Sequence, residues 1–534
     1  MPSTDEPLEL RTYFGPADAP LYGALHLHAS RRVRGAVLLV PPLAKEQYDA
    51  LRGLRRLAAL LAAEGLAVLR FDYLGTGDSA GAAGLPGAAA GWVASVRHAD
   101  AYLRGLGVGA PAVVALRAGT AIAGAAGLEP RAAVLWDPVG GRPFARAQAA
   151  LGRLAIGAGS DTWLGLDVHP AAATELAALP ADALTAPRVL LAERPGAAPA
   201  GPARADRITV DGMAEFIEPE AHLNRIPDAA VADIAAWLVA ALPDQEPVAV
   251  APEIRTRARW DGLEERIEDV EGAAAIRSVP ADGAARRSVL LCATANDTRH
   301  GPNRAWVHLA RDVAAAGGAA LRFDRRGAGE SGPVDADEVV ALFPTTGVED
   351  ATAAARTLDG PLLTAGVCSG SWFAAHAART AAADATVLVN TVLYSWRLKP
   401  GIAAATAQDL GVPRTDPAFA RSPRGRIKEV LRTRLPYPAW RVLGRRGVTQ
   451  VPEVLLRPVV AAGTDAVLVL APPDAAWFDS QRGPEGLRRL LRRARRRPAG
   501  TIRIVRPNAG DHPAYHPDVR ADVATAILQW CEQR

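Results

Sequence analysis

The segment Gly366-Val367-Cys368-Ser369-Gly370 sets a thiol between two glycines at the junction of two patterns. The apolar run Pro361 to Ala365 before it reads as a strand, and Ser371 to Ala378 after it reads as a helix. A sharp strand-to-helix turn carrying a nucleophile at its centre projects that side chain above a sheet, and the usual pattern, G-x-S-x-G, has serine there. Here the centre is Cys368. A free thiol has a pKa of about 8.5, so a modest shift makes a thiolate. The start of the following helix supplies N–H groups and a positive dipole end. The chemistry implied is attack of sulfur on a carbonyl. Two other readings stand beside it. Ser369 is the nucleophile if the register slips by one, which puts Val367 where a glycine is wanted. Alternatively, Cys368 is a buried structural cysteine.

The elements that must position this turn occur twice. Leu69-Arg70-Phe71-Asp72 followed by Tyr73 to Ser79 matches Leu321-Arg322-Phe323-Asp324 followed by Arg325 to Ser331, with Asp72 and Asp324 252 positions apart (324 − 72). Val37 to Val40 matches Val289 to Cys292 at the same offset, and Arg117 falls opposite Cys368 at 251 (368 − 117). Collinear matches at nearly one offset read as a tandem repeat. The expected boundary is the polar, proline-containing stretch at residues 243–258, giving domains over 1–245 and 258–534. Each repeat opens with runs that can pair as a hairpin, Leu8 to Tyr13 with Tyr22 to His28, and Leu263 to Val270 with Ala274 to Val279. Strand and helix patterns alternate afterwards, which predicts an α/β fold with a mostly parallel twisted sheet flanked by helices in each half.

Both halves resemble the serine-aminopeptidase-type branch of the α/β-hydrolases, near the exosortase-associated hydrolases. In the first half the likeness rests on Leu38 to Pro42, the loop Asp72 to Ser79, and Leu135 to Val139. In the second it rests on Gly301 to Arg304, the loop Asp324 to Ser331, and Cys368-Ser369-Gly370. It implies two tandem α/β-hydrolase domains, each with a cap insertion, at about 140–186 and 394–463. It implies little about substrate, because one scaffold of this kind carries many chemistries.

In such folds the chain order is nucleophile, acid, histidine. The run Ala466 to Ala471 ends in Pro472-Pro473-Asp474, a carboxylate just past the C-terminal end of a strand, and Asp474 is the expected acid. Asp465 precedes that strand and belongs at the wrong end. The strand Thr501 to Val505 leads to Pro507-Asn508-Ala509-Gly510-Asp511-His512, which resembles the family's loop before the last helix. His512 is the expected general base, with His516 as competitor. The oxyanion is expected to meet the N–H of Ser369 and a second N–H from Ala293 or Thr294. The favoured reading is hydrolysis of a small-molecule ester or thioester. Acyl transfer or lactone formation uses the same triad, and a non-catalytic scaffold is the third reading.

The first half carries Arg117 at the nucleophile position, and a guanidinium stays protonated and cannot attack a carbonyl. Glu193 and His222 fall near its acid and histidine slots. The first repeat is therefore expected to be a pseudoenzyme, either supporting the second or binding an anionic group through Arg117.

Composition excludes more than it assigns. The 534 residues are 49% hydrophobic with a net charge of +4, too small for a nucleic-acid footprint at this length. Lysine occurs only at Lys45, Lys399 and Lys428, so the basic character is arginine usage, read as the bias of a GC-rich bacterial genome. No apolar run reaches the roughly 20 residues of a membrane span, and Met1 to Glu6 does not read as a signal peptide. Three cysteines make no disulfide framework, so a reducing, cytoplasmic location is expected. No cofactor is implied: neither glycine-rich loop ends as a P-loop does, and no His/Cys cluster has metal-ligand spacing. The basic run Leu487 to Arg497 reads as a solvated helix face, with an acyl carrier protein as the partner it would suit.

Overall fold

The computed structural model describes residues 7–157, 162–196, 204–217, 224–242, 245–294, 297–335, 341–398, 434–494 and 499–533. The chain divides into two compact units, Met1–Ile267 with Pro333–Glu338, and Glu268–Gly332 with Val339–Arg534. The fold class is the one expected, α/β with two mostly parallel sheets flanked by helices.

The first sheet has eight strands: β1 (Leu8–Phe14), β2 (Leu21–Leu27), β3 (Gly35–Val40), β4 (Leu66–Phe71), β5 (Ala112–Leu116), β6 (Ala133–Trp136), β7 (Val189–Glu193) and β8 (Asp206–Thr209). Their order is β1-β2-β4-β3-β5-β6-β7-β8. β1 and β2 pair antiparallel from Leu8 opposite Leu27 to Phe14 opposite Leu21, as the hairpin pattern predicts, and β2 pairs antiparallel with β4. From β4 to β8 all pairings are parallel. The central strands are continuous apolar runs because helices cover both faces. Leu38 and Val40 point into one core, while Val37 and Leu39 point into the other. Helix α1 (Lys45–Ala63) covers the second face with Leu54, Leu57, Ala58 and Leu61. Helix α2 (Ala88–Arg104) covers the first with Trp92, Val96, Ala99 and Leu103, a single stripe at helical spacing. Helix α3 (Gly119–Ala125) follows β5, and α4 (Gly141–Ile156) lies in the expected cap segment.

The second sheet has nine strands: β9 (Arg257–Trp260), β10 (Leu263–Val270), β11 (Ala273–Pro280), β12 (Ser288–Cys292), β13 (Ala319–Phe323), β14 (Leu362–Val367), β15 (Ala385–Val389), β16 (Asp465–Val469) and β17 (Ile502–Val505). The order is β9-β10-β11-β13-β12-β14-β15-β16-β17. From β10 onward it matches the first sheet strand for strand. The alternation repeats as well: Leu290 and Cys292 enter one core, Val289 and Leu291 the other. Helices α5 (Ala305–Ala315) and α6 (Pro517–Glu532) cover one face, and α7 (Thr345–Arg356) and α8 (Ser369–Thr380) the other.

The paired glycine-rich loops are turns closed by a carboxylate. Asp72 accepts a hydrogen bond from the N–H of Asp78 at 2.9 Å, and Asp324 accepts one from Glu330 at 3.0 Å. Ser79 and Ser331 hydroxyls return to the main-chain carbonyls of Asp72 and Asp324. Gly77 and Gly329 have positive φ, and a Cβ on either would lie within 2.3 Å of the aspartate it wraps. These glycines make room for a side chain of the protein itself.

Of the second cap segment, residues 399–433 lie outside the described residues; Tyr437–Arg445 and Pro452–Ala461 are helical. Helix α9 (Pro472–Ser480) precedes α10 (Gly483–Ala494), which carries residues 487–494 of the basic run, buries Leu490 and exposes Arg488, Arg489 and Arg492; residues 495–497 lie outside the described residues. Among the described residues no helix is long and apolar enough to cross a membrane.

Candidate active site

Cys368 joins β14 to α8 in a conformation that L-residues avoid, φ 52° and ψ −113°. Its N–H is held by the carbonyl of Val389 at 2.9 Å, and its own carbonyl accepts from the Ser371 hydroxyl and N–H. The flanking glycines explain why such a bend fits. A Cβ on Gly366 would sit 2.2 Å from the carbonyl oxygen of Gly370, and one on Gly370 would sit 2.5 Å from that of Cys292. Both are positions where backbone passes backbone.

The structure brings Cys368, His512 and Asp474 together. Asp474, in the first turn of α9, is buried and places Oδ1 2.7 Å from Nδ1 of His512. The Cys368 thiol also hydrogen bonds to the imidazole. With Nδ1 taken by Asp474, Nε2 is the ring nitrogen left for another partner. Burial alone would push the His512 pKa down, but the Cys368 charge and the hydrogen bonds from Asp474 and Cys368 outweigh it and raise the pKa to about 10. A proton is thus held on the ring opposite the sulfur. Oδ2 of Asp474 is buried without a partner among the described residues, so Oδ1 carries the whole contact.

The competitors lie elsewhere. Asp465, at the start of β16, accepts from the N–H and hydroxyl of Thr501. His516 caps α6, its Nδ1 accepting from the N–H of Asp518 at 3.1 Å. Ser369 is fully buried in the first turn of α8. Cys292 is buried and its pKa is pushed up by desolvation; burial likewise raises Cys531 to about 11.

The oxyanion region differs in one respect from expectation. The N–H of Ser369 does donate a hydrogen bond there, but to the side-chain Oγ1 of Thr294 at 3.2 Å, and that hydroxyl also lies 3.0 Å from Ser369 Oγ. Thr294 therefore enters through its side chain, where a main-chain role was expected. Ala293 follows β12 directly, and its carbonyl oxygen is what a Cβ on Gly370 would meet at 2.7 Å.

Asn390, at the end of β15 and with positive φ, was not singled out from the sequence. Its amide donates to the carbonyls of Asp511 at 3.0 Å and His512 at 2.8 Å, and its oxygen accepts from Ala471 at 2.8 Å. It ties the histidine loop to the strand end that leads into Asp474. Its first-unit counterpart by strand order is Asp137, which has φ 46°.

In the first unit Arg117 stands at the same kind of turn, with φ 54°, and the Thr120 hydroxyl bonds its carbonyl as Ser371 does that of Cys368. Its neighbours differ from those expected. Glu193 pairs with Arg207 on β8, away from Arg117. His222 lies outside the described residues. Arg117 instead bonds Glu46 through Nε and Nη2 and Asp137 through Nη1, and Asp137 also accepts from Arg194.

No family model and no curated protein matches the chain. Among solved structures it is similar to a dienelactone hydrolase from Anabaena variabilis, at 13% identity over 50% of this chain and 97% of that one, TM-score 0.30. It is similar to an esterase from Pyrobaculum calidifontis at 17% identity, over 51% and 84% of the two chains, TM-score 0.29. A thermostable esterase from Pseudomonas putida is 16% identical over 51% and 85%, TM-score 0.31.

Proposed function

We propose that the second unit, Glu268–Gly332 with Val339–Arg534, cleaves an ester or thioester through an acyl-cysteine intermediate. The observation that carries this reading is the imidazole of His512, bonded through Nδ1 to Asp474 and interacting with the Cys368 side chain. Sulfur attacks the carbonyl carbon and forms the C–S bond, and the carbonyl electrons move to oxygen. Collapse breaks the bond to the leaving alcohol or thiol, which takes the proton from Nε2 of His512. Water then attacks the acyl-cysteine, giving its proton to the same nitrogen, and the C–S bond breaks as the acid departs. Asp474 holds the ring in the tautomer both steps need.

Thr294 shapes the oxyanion site. Its Oγ1 accepts from Ser369 N–H and lies 3.0 Å from Ser369 Oγ; with Ser369 donating across that contact, the Thr294 hydroxyl proton is free to donate to the developing oxyanion. The first unit, which descends from a duplication on this reading, carries Arg117 at the elbow and contributes no nucleophile.

The test is intact-mass and peptide analysis after incubation with p-nitrophenyl acetate and acetyl thioesters, with water, alcohols and amines as competing acceptors. An acetyl adduct on Cys368, lost in Cys368→Ala and turned over by water in the parent, is expected. Unchanged turnover by Cys368→Ala would refute the reading.

A further inference from the structure

Beside Arg117 the first unit contains a cavity of about 320 Å³. At roughly 30 Å³ per water-sized group this is room for about ten non-hydrogen atoms. Its walls are mainly apolar, from Ala147 and Leu151 of α4 with Leu164 and Ile217. Its polar end is Arg117, Glu46 and Gln148.

Two features of that end call for a ligand. Gln148 is 1% exposed, and its Nε2 donates to Glu46 Oε1 at 3.2 Å. That bond fixes the amide orientation and leaves Oε1, a buried acceptor, without a partner among the described residues. An orphaned acceptor of this kind costs about 1–3 kcal/mol unless something donates to it. Arg117 commits three of its five N–H groups, to Glu46 and Asp137, and the other two have no partner among the described residues. The site thus offers one acceptor and unspent donors against an apolar wall.

The charges argue against an anion. Arg117, Arg194 and Lys45 are balanced by Glu46, Asp137 and Asp49, each in an ion pair. A carboxylate entering here would sit beside Glu46 with no surplus cation to meet it. Burial raises the pKa of Glu46 against the lowering influence of Arg117, and a second buried carboxylate beside it would meet the same desolvation cost.

We propose that this cavity binds an uncharged acyl compound that carries a hydroxyl group, a short-chain hydroxy ester, with its carbonyl oxygen on Arg117 and its hydroxyl on Gln148 Oε1. The elbow that presents a thiol to a carbonyl in one unit presents a guanidinium to it in the other, which binds the same functional group without cleaving it. The choice of a carbonyl compound leans on the reading of the second unit, while the test reads binding at the first unit and can fail separately from it.

The experiment uses the full chain with Cys368→Ala, so that no turnover intervenes. Methyl 3-hydroxyhexanoate, methyl hexanoate and 3-hydroxyhexanoate are titrated by calorimetry. The hydroxy ester is expected to bind at least about tenfold more tightly than either, one hydrogen bond to a buried acceptor being worth about that factor. Gln148→Leu should abolish the preference for the hydroxyl, and Leu151→Trp, which fills the cavity, should abolish this binding altogether. A diazirine analogue of the hydroxy ester is expected to label peptides of Gly141–Ile156, which keeps the test open should Leu151→Trp fail to fold. Labelling confined to peptides around Cys368, or equal affinity for the ester and the free acid, would overturn the proposal.

Discussion

The side-chain amide of Asn390 donates to the main-chain carbonyl of His512 at 2.8 Å, and its oxygen accepts from the N–H of Ala471. One buried residue at the end of β15 thereby holds the loop that presents the base and the strand end that leads to the acid. Asn390→Leu removes all three bonds in a fully buried place, and Asn390→Asp keeps only the acceptor. Both should slow acylation, by about tenfold to a hundredfold, because small displacements of a base cost that much. KM should move less than kcat, and the alkaline limb of the pH–rate profile should shift. An unchanged profile in Asn390→Leu would mean that the histidine loop does not depend on it.

Protonated His512 favours the folded chain. Its folded pKa of about 10 exceeds the roughly 6.5 of a free histidine, so this stabilisation is complete below about pH 6.5 and is lost as the pH rises through about 10. Burial opposes that shift, while the Cys368 charge is the largest influence raising it. Cys368→Ala should therefore lower the His512 midpoint markedly, and Asp474→Asn should also lower it. Histidine-selective NMR titration of both variants measures this directly. A midpoint in Cys368→Ala that stays near 10 would contradict the pairing.

The Thr294 hydroxyl is bonded by the Ser369 N–H at 3.2 Å. Thr294→Val keeps the shape and loses the donor, and it should reduce acylation by about 10²–10³-fold, the usual consequence of losing one oxyanion donor. Thr294→Ser should retain most of the rate. Burst kinetics with p-nitrophenyl acetate separate the two steps, and equal rates in Val and Ser variants would remove Thr294 from the oxyanion site.

Gly370→Ala should damage both fold and chemistry. The new Cβ would press on the carbonyls of Cys292 and Ala293 at 2.5 and 2.7 Å, and such overpacking costs about 1–3 kcal/mol. Gly119→Ala meets Pro41 and Val40 carbonyls at 2.6 and 2.7 Å in the same way. Both should unfold at lower denaturant, but only Gly370→Ala should slow acylation per folded molecule.

The parts of this protein legible in its sequence are those carried by short contiguous signals. Cys368 between two glycines, Asp474 just past β16 and His512 just past β17 each sit at the end of a readable strand. The hairpin β1–β2 and the Asp72 and Asp324 turns were equally local. What escaped was assembled from distant positions. Glu46 reaches Arg117 across 71 residues (117 − 46) and Gln148 reaches Glu46 across 102 (148 − 46), from helices whose faces sequence does not aim. Asn390 looks like any polar residue after a strand until its partners at 471, 511 and 512 are in place. Thr294 was expected as a main-chain donor, because rotamers are set by packing and not by pattern.

The backbone at residues 117 and 368 holds positive φ with either side chain. The turn therefore encodes a location and leaves the reactivity to whatever residue occupies it. A fold built so can exchange one chemistry for another, or for none, by a single substitution at that point, without altering a strand, a helix or a loop. Two such turns in one polypeptide give it two independently replaceable tips on one unchanging handle.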